Sequence, residues 1–124
     1  MAPLIPPGTE VLAGLEMGGI PIATALSLAT GLPMVLVRKK AKDYGTCKTA
    51  EGGDFRGKRV CVVEDVVTTG GQIIMSAQDL REAGGIVENV MCVILRNEEG
   101  REKLAGEGLA LTPLFGMEEL KEAR

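Results

Sequence analysis

Two adjacent carboxylates, Glu64 and Asp65, stand between an apolar run and a loop suited to an anion, in VCVVEDVVTTGGQ (60–72). The loop, TTGG at 68–71, leads into a helical pattern, so backbone N–H groups and threonine hydroxyls there could bind a phosphate. A phosphate repels a bare carboxylate. The acid pair therefore makes chemical sense if the ligand also carries hydroxyl groups or develops positive charge, as a ribose 5-phosphate does during displacement at C1. The cap of a structural helix is the alternative interpretation of the TTGG turn.

A second segment, KKAKDYGTCKTAEGGDFRG at 39–57, has no amphipathic helical pattern and is called the lid below. A connection of this length inside a compact domain is usually a functional lid or a mobile segment. A dense positive cluster lies at its start, formed by Arg38, Lys39, Lys40 and Lys42. We expect a long mobile lid here, and the alternative interpretation is a solvated basic loop.

A third segment, LEMGGIP at 15–21, follows another apolar run. In open α/β sheets, ligands bind beyond the carboxyl ends of the strands. All three segments follow a predicted strand, so we expect them to meet at one edge of the sheet.

Five short apolar runs predict the strands that position these segments. The runs are continuous rather than alternating, which is typical of strands covered on both faces of a parallel sheet. The predicted strands are 10–15, 33–38, 58–64, 89–95 and 109–114. Helical patterns lie at 21–31, 72–85, 101–108 and 117–124. The sequence thus predicts a single α/β domain over residues 1–124, with a five-stranded, mostly parallel sheet flanked by helices.

Composition argues against several classes of function. The 14 basic and 17 acidic residues give a net charge of −3, and only 2% of the residues are aromatic, so we expect no nucleic-acid or membrane-surface binding. No apolar run reaches the roughly 18 residues of a membrane span. The amino terminus, MAPLIPPGTE, lacks the features of a signal peptide. The absence of histidine excludes histidine-based triads and metal sites.

The three cysteines are Cys47, Cys61 and Cys92. Their odd number and the lack of a CxxC spacing argue against a disulfide framework or a zinc site. We therefore expect a reducing, cytoplasmic location, with Cys61 and Cys92 buried in strands and Cys47 incidental in the lid.

Taken together, these motifs resemble those of type I phosphoribosyltransferases. VCVVEDVVTTGGQ (60–72) is similar to that family's motif for binding 5-phospho-α-D-ribosyl 1-diphosphate (PRPP), and VRKKAKDYGT (37–46) resembles the catalytic loop of its orotate phosphoribosyltransferases. LEMGGIPIA (15–23) resembles the pyrophosphate loop, and TAEG (49–52) the segment that closes the lid. The segment 94–115 is similar as well, so the resemblance extends over nearly the whole chain from residue 10.

The resemblance implies transfer of the phosphoribosyl group of PRPP to orotate, giving orotidine 5′-monophosphate and pyrophosphate in UMP biosynthesis. Glu64 and Asp65 would hold the ribose hydroxyls and stabilise positive charge at C1. Lys42 would act as general acid for the pyrophosphate, which Arg38 and Lys39 would help to neutralise. The other implied substrate-binding residues are Glu16, Met17, Gly18, Gly19, Tyr44, Val66, Val67, Thr68, Thr69, Gly70, Gly71, Gln72 and Arg96. Mg²⁺ would arrive on PRPP without direct protein ligands, and a homodimer would share lid residues between subunits.

Three departures from the family pattern bear on these expectations. Tyr44 stands where the family usually has histidine, and a tyrosine is neutral at pH 7. Arg96-Asn97 replaces the usual Asp-Arg pair, which displaces the arginine by one position and is expected to weaken or re-aim orotate recognition. Only about ten residues precede the first strand, where the family has a hood over the base. We therefore expect a truncated chain or an open base site.

Three other interpretations stay open at this point. They are a phosphoribosyltransferase for another base, a PRPP-binding regulatory module, and an α/β domain with an incidental anion loop. For single residues, packing is the alternative role for Met17, and solvation is expected for Lys40 and Lys48. Glu98 and Glu99 are expected to cap a helix or face solvent.

Overall fold

The computed structural model describes residues 2–38, 50–51 and 55–116. A short 3-10 helix, Ala2–Leu4, precedes the first strand. The strands are β1 (Val11–Leu15), β2 (Met34–Val37), β3 (Ala50–Glu51), β4 (Arg59–Val67), β5 (Ile86–Leu95) and β6 (Ala110–Gly116). The helices are α1 (Gly19–Thr30), α2 (Gly71–Glu82) and α3 (Glu98–Gly106).

The sheet has the order β3-β2-β1-β4-β5-β6. The five predicted strands are its five parallel strands, so the predicted fold class is confirmed. The two-residue strand β3 adds an antiparallel edge, with Val37 paired to Ala50 and Leu36 to Glu51. It lies inside the predicted lid, where so short a strand leaves no pattern in the sequence.

Helices cover both faces of the sheet, which explains the continuous apolar runs. Along β4, Val60 and Val62 pack in the cluster beneath α2 and α3, whereas Cys61 and Val63 pack in the cluster beneath α1. Successive residues of a central strand therefore face opposite helical layers in turn, and because both layers are buried, all of these residues must be apolar.

The helix boundaries differ from the predictions by up to three residues. α1 ends at Gly31, whose φ of 78° suits a glycine. α2 ends before the glycine pair that closes the predicted helix, and the Gly85 N–H donates to the Leu80 carbonyl oxygen at 2.9 Å. α3 begins earlier than predicted because the Asn97 side chain accepts a hydrogen bond from the Glu99 N–H at 3.0 Å. The helix predicted at 117–124 lies outside the described residues.

Candidate active site at the carboxyl edge of the sheet

The strand order places a crevice between β1 and β4. Within the sheet, β2 and β4 are the two neighbours of β1. The chain passes from β1 to β2 in one direction along the sheet and later returns to β4 in the other direction. Such a reversal is a topological switch point, where open α/β sheets bind their ligands. The loops that leave these two strands, residues 16–18 after β1 and 68–70 after β4, border the crevice.

The acid pair lies at the end of β4, and both side chains are half-buried. The Asp65 N–H donates to Glu64 Oε1 at 2.9 Å. The Val66 N–H donates to Asp65 Oδ1 at 2.7 Å. Hydrogen bonds from backbone N–H groups to carboxylates are short and strong, so the strand itself orients both acids.

The loop after β1 lies directly against the acid pair. A methyl group at Gly18 would overlap the Asp65 carboxylate, and one at Gly19 would overlap the Val63 carbonyl oxygen. Only glycine permits this approach at either position. The structure therefore brings the predicted pyrophosphate loop and the predicted acid pair into contact.

The remaining residues of this loop differ in exposure. Glu16 is half-buried, and its backbone N–H donates to the Val37 carbonyl oxygen at 2.9 Å. The peptide bond between Glu16 and Met17 is cis. Met17 is 77% exposed, so the packing role considered for it is wrong.

The loop after β4 forms an open depression at the start of α2. Its lining residues are Glu64, Val66, Thr68, Thr69, Gly70, Gly71, Gln72 and Ile73. Gly70 precedes the helix with φ 80° and supplies no side chain to cap it. The first N–H groups of a helix lack intrahelical acceptors, so this terminus presents N–H groups and positive potential to an anion. Thr68 to Gln72, implied to bind the 5-phosphate, all belong to this lining, whereas Val67, a further implied substrate-binding residue, is buried and lies outside it.

The predicted basic residues are placed only in part. Lys39, Lys42 and Tyr44 lie outside the described residues, as do Lys40, Cys47 and Lys48. Arg38 is half-buried and follows β2, whose last residue pairs with the last residue of β1, so it stands at the same edge as the crevice.

Arg96 is exposed at the end of β5, and its backbone N–H donates to the Val67 carbonyl oxygen at 2.8 Å. The next residue, Asn97, has a role that sequence reasoning missed, because it caps α3. An Asn just ahead of an acidic first turn was the available signal. Glu98 and Glu99, predicted as caps or solvent-facing residues, form that exposed first turn.

The two described cysteines are buried in the sheet and are not reactive. Burial raises the pKa of the Cys61 thiol to about 12, and that of Cys92 to about 12, so both are protonated at neutral pH and neither is an activated nucleophile. Within the described ranges, no group of three acidic or cysteine side chains could hold a metal ion by itself. In the same ranges, no helix is long and apolar enough to cross a membrane.

Comparison with known proteins identifies the family. The model of the phosphoribosyl transferase domain matches residues 6–107. An orotate phosphoribosyltransferase from a Nocardioides species is 51% identical over 124 residues, which cover 100% of this chain and 69% of that protein. The chain belongs to the orotate phosphoribosyltransferase family. It spans 61% to 69% of the length of the curated family members it matches.

Solved structures of family members have the same fold. The orotate phosphoribosyltransferase of Aeropyrum pernix superposes with a TM-score of 0.83 at 34% identity, over 93% of this chain and 64% of that chain. The Mycobacterium tuberculosis orotate phosphoribosyltransferase in complex with PRPP gives a TM-score of 0.79 at 33% identity, over 90% of this chain and 65% of that one.

Proposed function

We propose that this chain transfers the phosphoribosyl group of PRPP to orotate, forming orotidine 5′-monophosphate and pyrophosphate in UMP biosynthesis. The observation that carries the proposal is that three features lie together at one switch point. The half-buried acid pair touches one glycine loop and is followed by an uncapped helix terminus. A ligand that spans them must carry a phosphate, hydroxyl groups and a centre of developing positive charge.

The acid pair is the proposed catalytic centre for charge at C1. Displacement at an anomeric carbon passes through an oxocarbenium-like state, and a fixed carboxylate stabilises such a state without reorganising. Glu64 and Asp65 are held by backbone N–H groups of their own strand, so their oxygens are oriented before the ligand binds. The 5-phosphate would bind at the start of α2, and the pyrophosphate beside residues 16–19.

The leaving group requires positive charge, and of the basic residues implied for it the structure describes Arg38. We propose that the lid supplies the rest, with Lys42 as general acid and Lys39 and Tyr44 as further pyrophosphate contacts. A homodimer that shares lid residues between subunits is part of this proposal. Lys42→Ala should lower turnover by orders of magnitude, whereas Lys40→Ala, a nearby lid lysine expected to be solvated, should change it little.

Mg²⁺ fits this arrangement as a partner of the substrate. Mg²⁺ would be carried by PRPP, with its octahedral shell filled by phosphate oxygens, hydroxyl groups and water rather than by direct protein ligands. Bound in this way, Mg²⁺ would neutralise charge on the diphosphate. A cytoplasmic location stays a prediction, supported by the free cysteines Cys61 and Cys92.

The residues that bind the base decide between orotate and another base as the acceptor. Arg96 is exposed at the end of β5 and is the described cation we propose for the orotate carboxylate. Adenine phosphoribosyltransferase from Thermoanaerobacter pseudethanolicus shares the fold, with a TM-score of 0.70 at 28% identity, so another base is the second candidate. Arg96→Ala should raise the KM for orotate and leave that for PRPP nearly unchanged.

An absorbance assay tests the proposal. The purified chain is mixed with Mg²⁺, PRPP and orotate, and the loss of orotate absorbance in the ultraviolet is followed. A decay that depends on PRPP is the expected result. No decay with orotate, together with turnover of adenine or another base, would favour the second candidate. Absence of PRPP binding by calorimetry would contradict both.

A further inference from the structure

Helix α3 lies directly behind the loop at residues 68–70. Gly100, in the first turn of α3, is buried, and a methyl group there would overlap the Thr68 carbonyl oxygen. The same methyl group would come within 2.9 Å of Val67 Cγ1 and 3.1 Å of the Thr68 carbonyl carbon. The start of the loop therefore rests on the bare backbone of a helix that follows it by thirty residues in the sequence.

The end of the loop contacts the same helix. A Cβ placed on Gly70 would lie 3.2 Å from Leu104 Cδ2 and 3.6 Å from the Gly100 carbonyl oxygen. Leu104 is fully buried, so it cannot withdraw into solvent. Two points on one face of α3, a turn apart, thus fix both ends of a three-residue loop.

The position of α3 is in turn set at its amino terminus. Asn97 caps the helix through the Glu99 N–H, and its carbonyl oxygen accepts from the Gly100 N–H at 3.0 Å. The neighbouring Arg96 N–H is bonded to the Val67 carbonyl oxygen at 2.8 Å, which joins the end of β5 to the residue before the loop. Strand, cap and helix thus form a continuous chain of contacts to the loop.

We propose that α3 is the support that holds the 68–70 loop in its phosphate-binding shape, with Gly100 and Leu104 as positioning residues that never touch the substrate. This inference rests on the proposed function, since it concerns the affinity of the 5-phosphate subsite. The pyrophosphate subsite beside residues 16–19 rests on β4 and is independent of α3. Loss of the support should therefore weaken one subsite and spare the other.

The test compares Gly100→Ala with Gly106→Ala. Gly106 ends the same helix and has no atom within 4 Å of an added Cβ, so the second variant makes the same chemical change without contact. In a helix alanine is favoured over glycine, so neither change harms the helix by itself. Binding of ribose 5-phosphate and of pyrophosphate to each variant and to the wild type is measured by calorimetry.

We expect Gly100→Ala to bind ribose 5-phosphate at least about tenfold more weakly, since the loss of one hydrogen bond to a charged group weakens binding by roughly that factor. Its pyrophosphate affinity should match the wild type, and Gly106→Ala should match the wild type for both ligands. Equal ribose 5-phosphate affinities for the two variants would overturn the inference. So would an equal loss for both ligands in Gly100→Ala, which would indicate general damage to the fold.

A second pair of variants covers the case in which Gly100→Ala does not fold. Asn97→Ala removes the cap, and Asn97→Asp preserves a side-chain acceptor there. Asn97→Ala should weaken ribose 5-phosphate binding more than pyrophosphate binding, and Asn97→Asp should restore it. Failure of that restoration would overturn the inference. A wild-type chain that binds pyrophosphate and no ribose 5-phosphate would instead overturn the proposed function and the inference with it.

Discussion

The two loops of the crevice perform the same turn, from a parallel strand into a helix, but they are held in opposite ways. Residues 16–18 pack against a strand of the sheet, because Gly18 contacts Asp65 and the following Gly19 contacts the Val63 backbone of β4. Residues 68–70 pack against a helix instead, because Gly100 of α3 contacts Thr68 and Leu104 of α3 contacts Gly70. The first loop is coupled to the acid pair, and the second is coupled to a distant helix.

This difference separates two kinds of failure. A change in the first loop moves the carboxylates that are proposed to act on C1, so it should lower kcat. A change behind the second loop alters only how the phosphate is bound, so it should raise KM or Kd. The first loop and β4 are thus expected to govern stabilisation of the transition state. The second loop and α3 are expected to govern substrate binding that is equal in the ground state and the transition state.

The largest effect is expected at the acid pair itself. Asp65→Asn keeps the shape of the side chain and removes its charge, so kcat should fall by about 10²–10³, the range measured when one preorganised electrostatic group is lost. Ribose 5-phosphate binding should persist. The matched control is Asp79→Asn on the exposed face of α2. Steady-state kinetics would contradict the assignment if both variants turned over at the wild-type rate.

The next effect separates the two glycines of the first loop. Gly18→Ala meets the end of a side chain that can rotate, so the fold should survive while the Asp65 carboxylate is displaced and kcat falls by roughly tenfold or more. Gly19→Ala meets the Val63 carbonyl oxygen, which is backbone, so it should destabilise the fold by about 1–3 kcal/mol. Kinetics and urea unfolding of both variants distinguish these outcomes. Unaltered kcat in Gly18→Ala would break the proposed coupling.

The sequence predicted the parallel sheet because strands covered on both faces must be apolar throughout, as the alternation of Val62 and Val63 between two layers illustrates. It placed the end of β4 too early. Val66 and Val67 still pair with Ile94 and Leu95 of β5, and backbone pairing of this kind leaves no signal in side-chain chemistry.

For the site, the sequence predicted which segments meet but not what holds them. Glu64, Asp65 and the glycine loops form recognisable local motifs, and strand order brings them together. No local pattern shows that Gly18 faces Asp65 or that Gly100 faces Thr68, because each contact joins residues from distant parts of the chain. The capping role of Asn97 is different, because it has a local signal, an Asn ahead of the acidic first turn of α3, which the comparison with a family position for the base obscured.

A smaller effect concerns the stability of the α3 side. Asn97→Ala removes a capping bond worth ~1 kcal/mol, which for a chain of 124 residues lowers Tm by roughly 4 °C. Asn97→Asp should recover most of the loss. Calorimetric melting of the three proteins checks the order. Equal melting temperatures for Asn97→Ala and the wild type would show that α3 is fixed by packing alone, and would remove the cap from the proposed chain of contacts.

The smallest expected effect is a loss of folding stability at alkaline pH, and it depends on one buried thiol on each face of the sheet. Burial raises the pKa of Cys61, beneath α1, from 9.0 to about 12. Cys92, beneath α2 and α3, also rises to about 12, because burial raises its pKa, Arg101 lowers it, and Glu64 and Asp65 raise it. The folded state keeps protons that the unfolded chain releases above pH 9. The contribution of each buried thiol to the free energy of unfolding is therefore fully present below pH 9 and is lost as the pH rises towards 12.

Urea unfolding between pH 8 and pH 10 measures this loss. Cys61→Ala and Cys92→Ala should each show a shallower decline than the wild type, although both start from lower stability because a buried group is removed. Between pH 8 and pH 10 neither folded thiol ionises, so the decline reflects proton release from the unfolded chain and should be nearly the same for the two cysteines. A variant whose stability declines as steeply as that of the wild type would show that the thiol it lacks already ionises in the folded protein, and that burial in its layer of the sheet does not hold the proton.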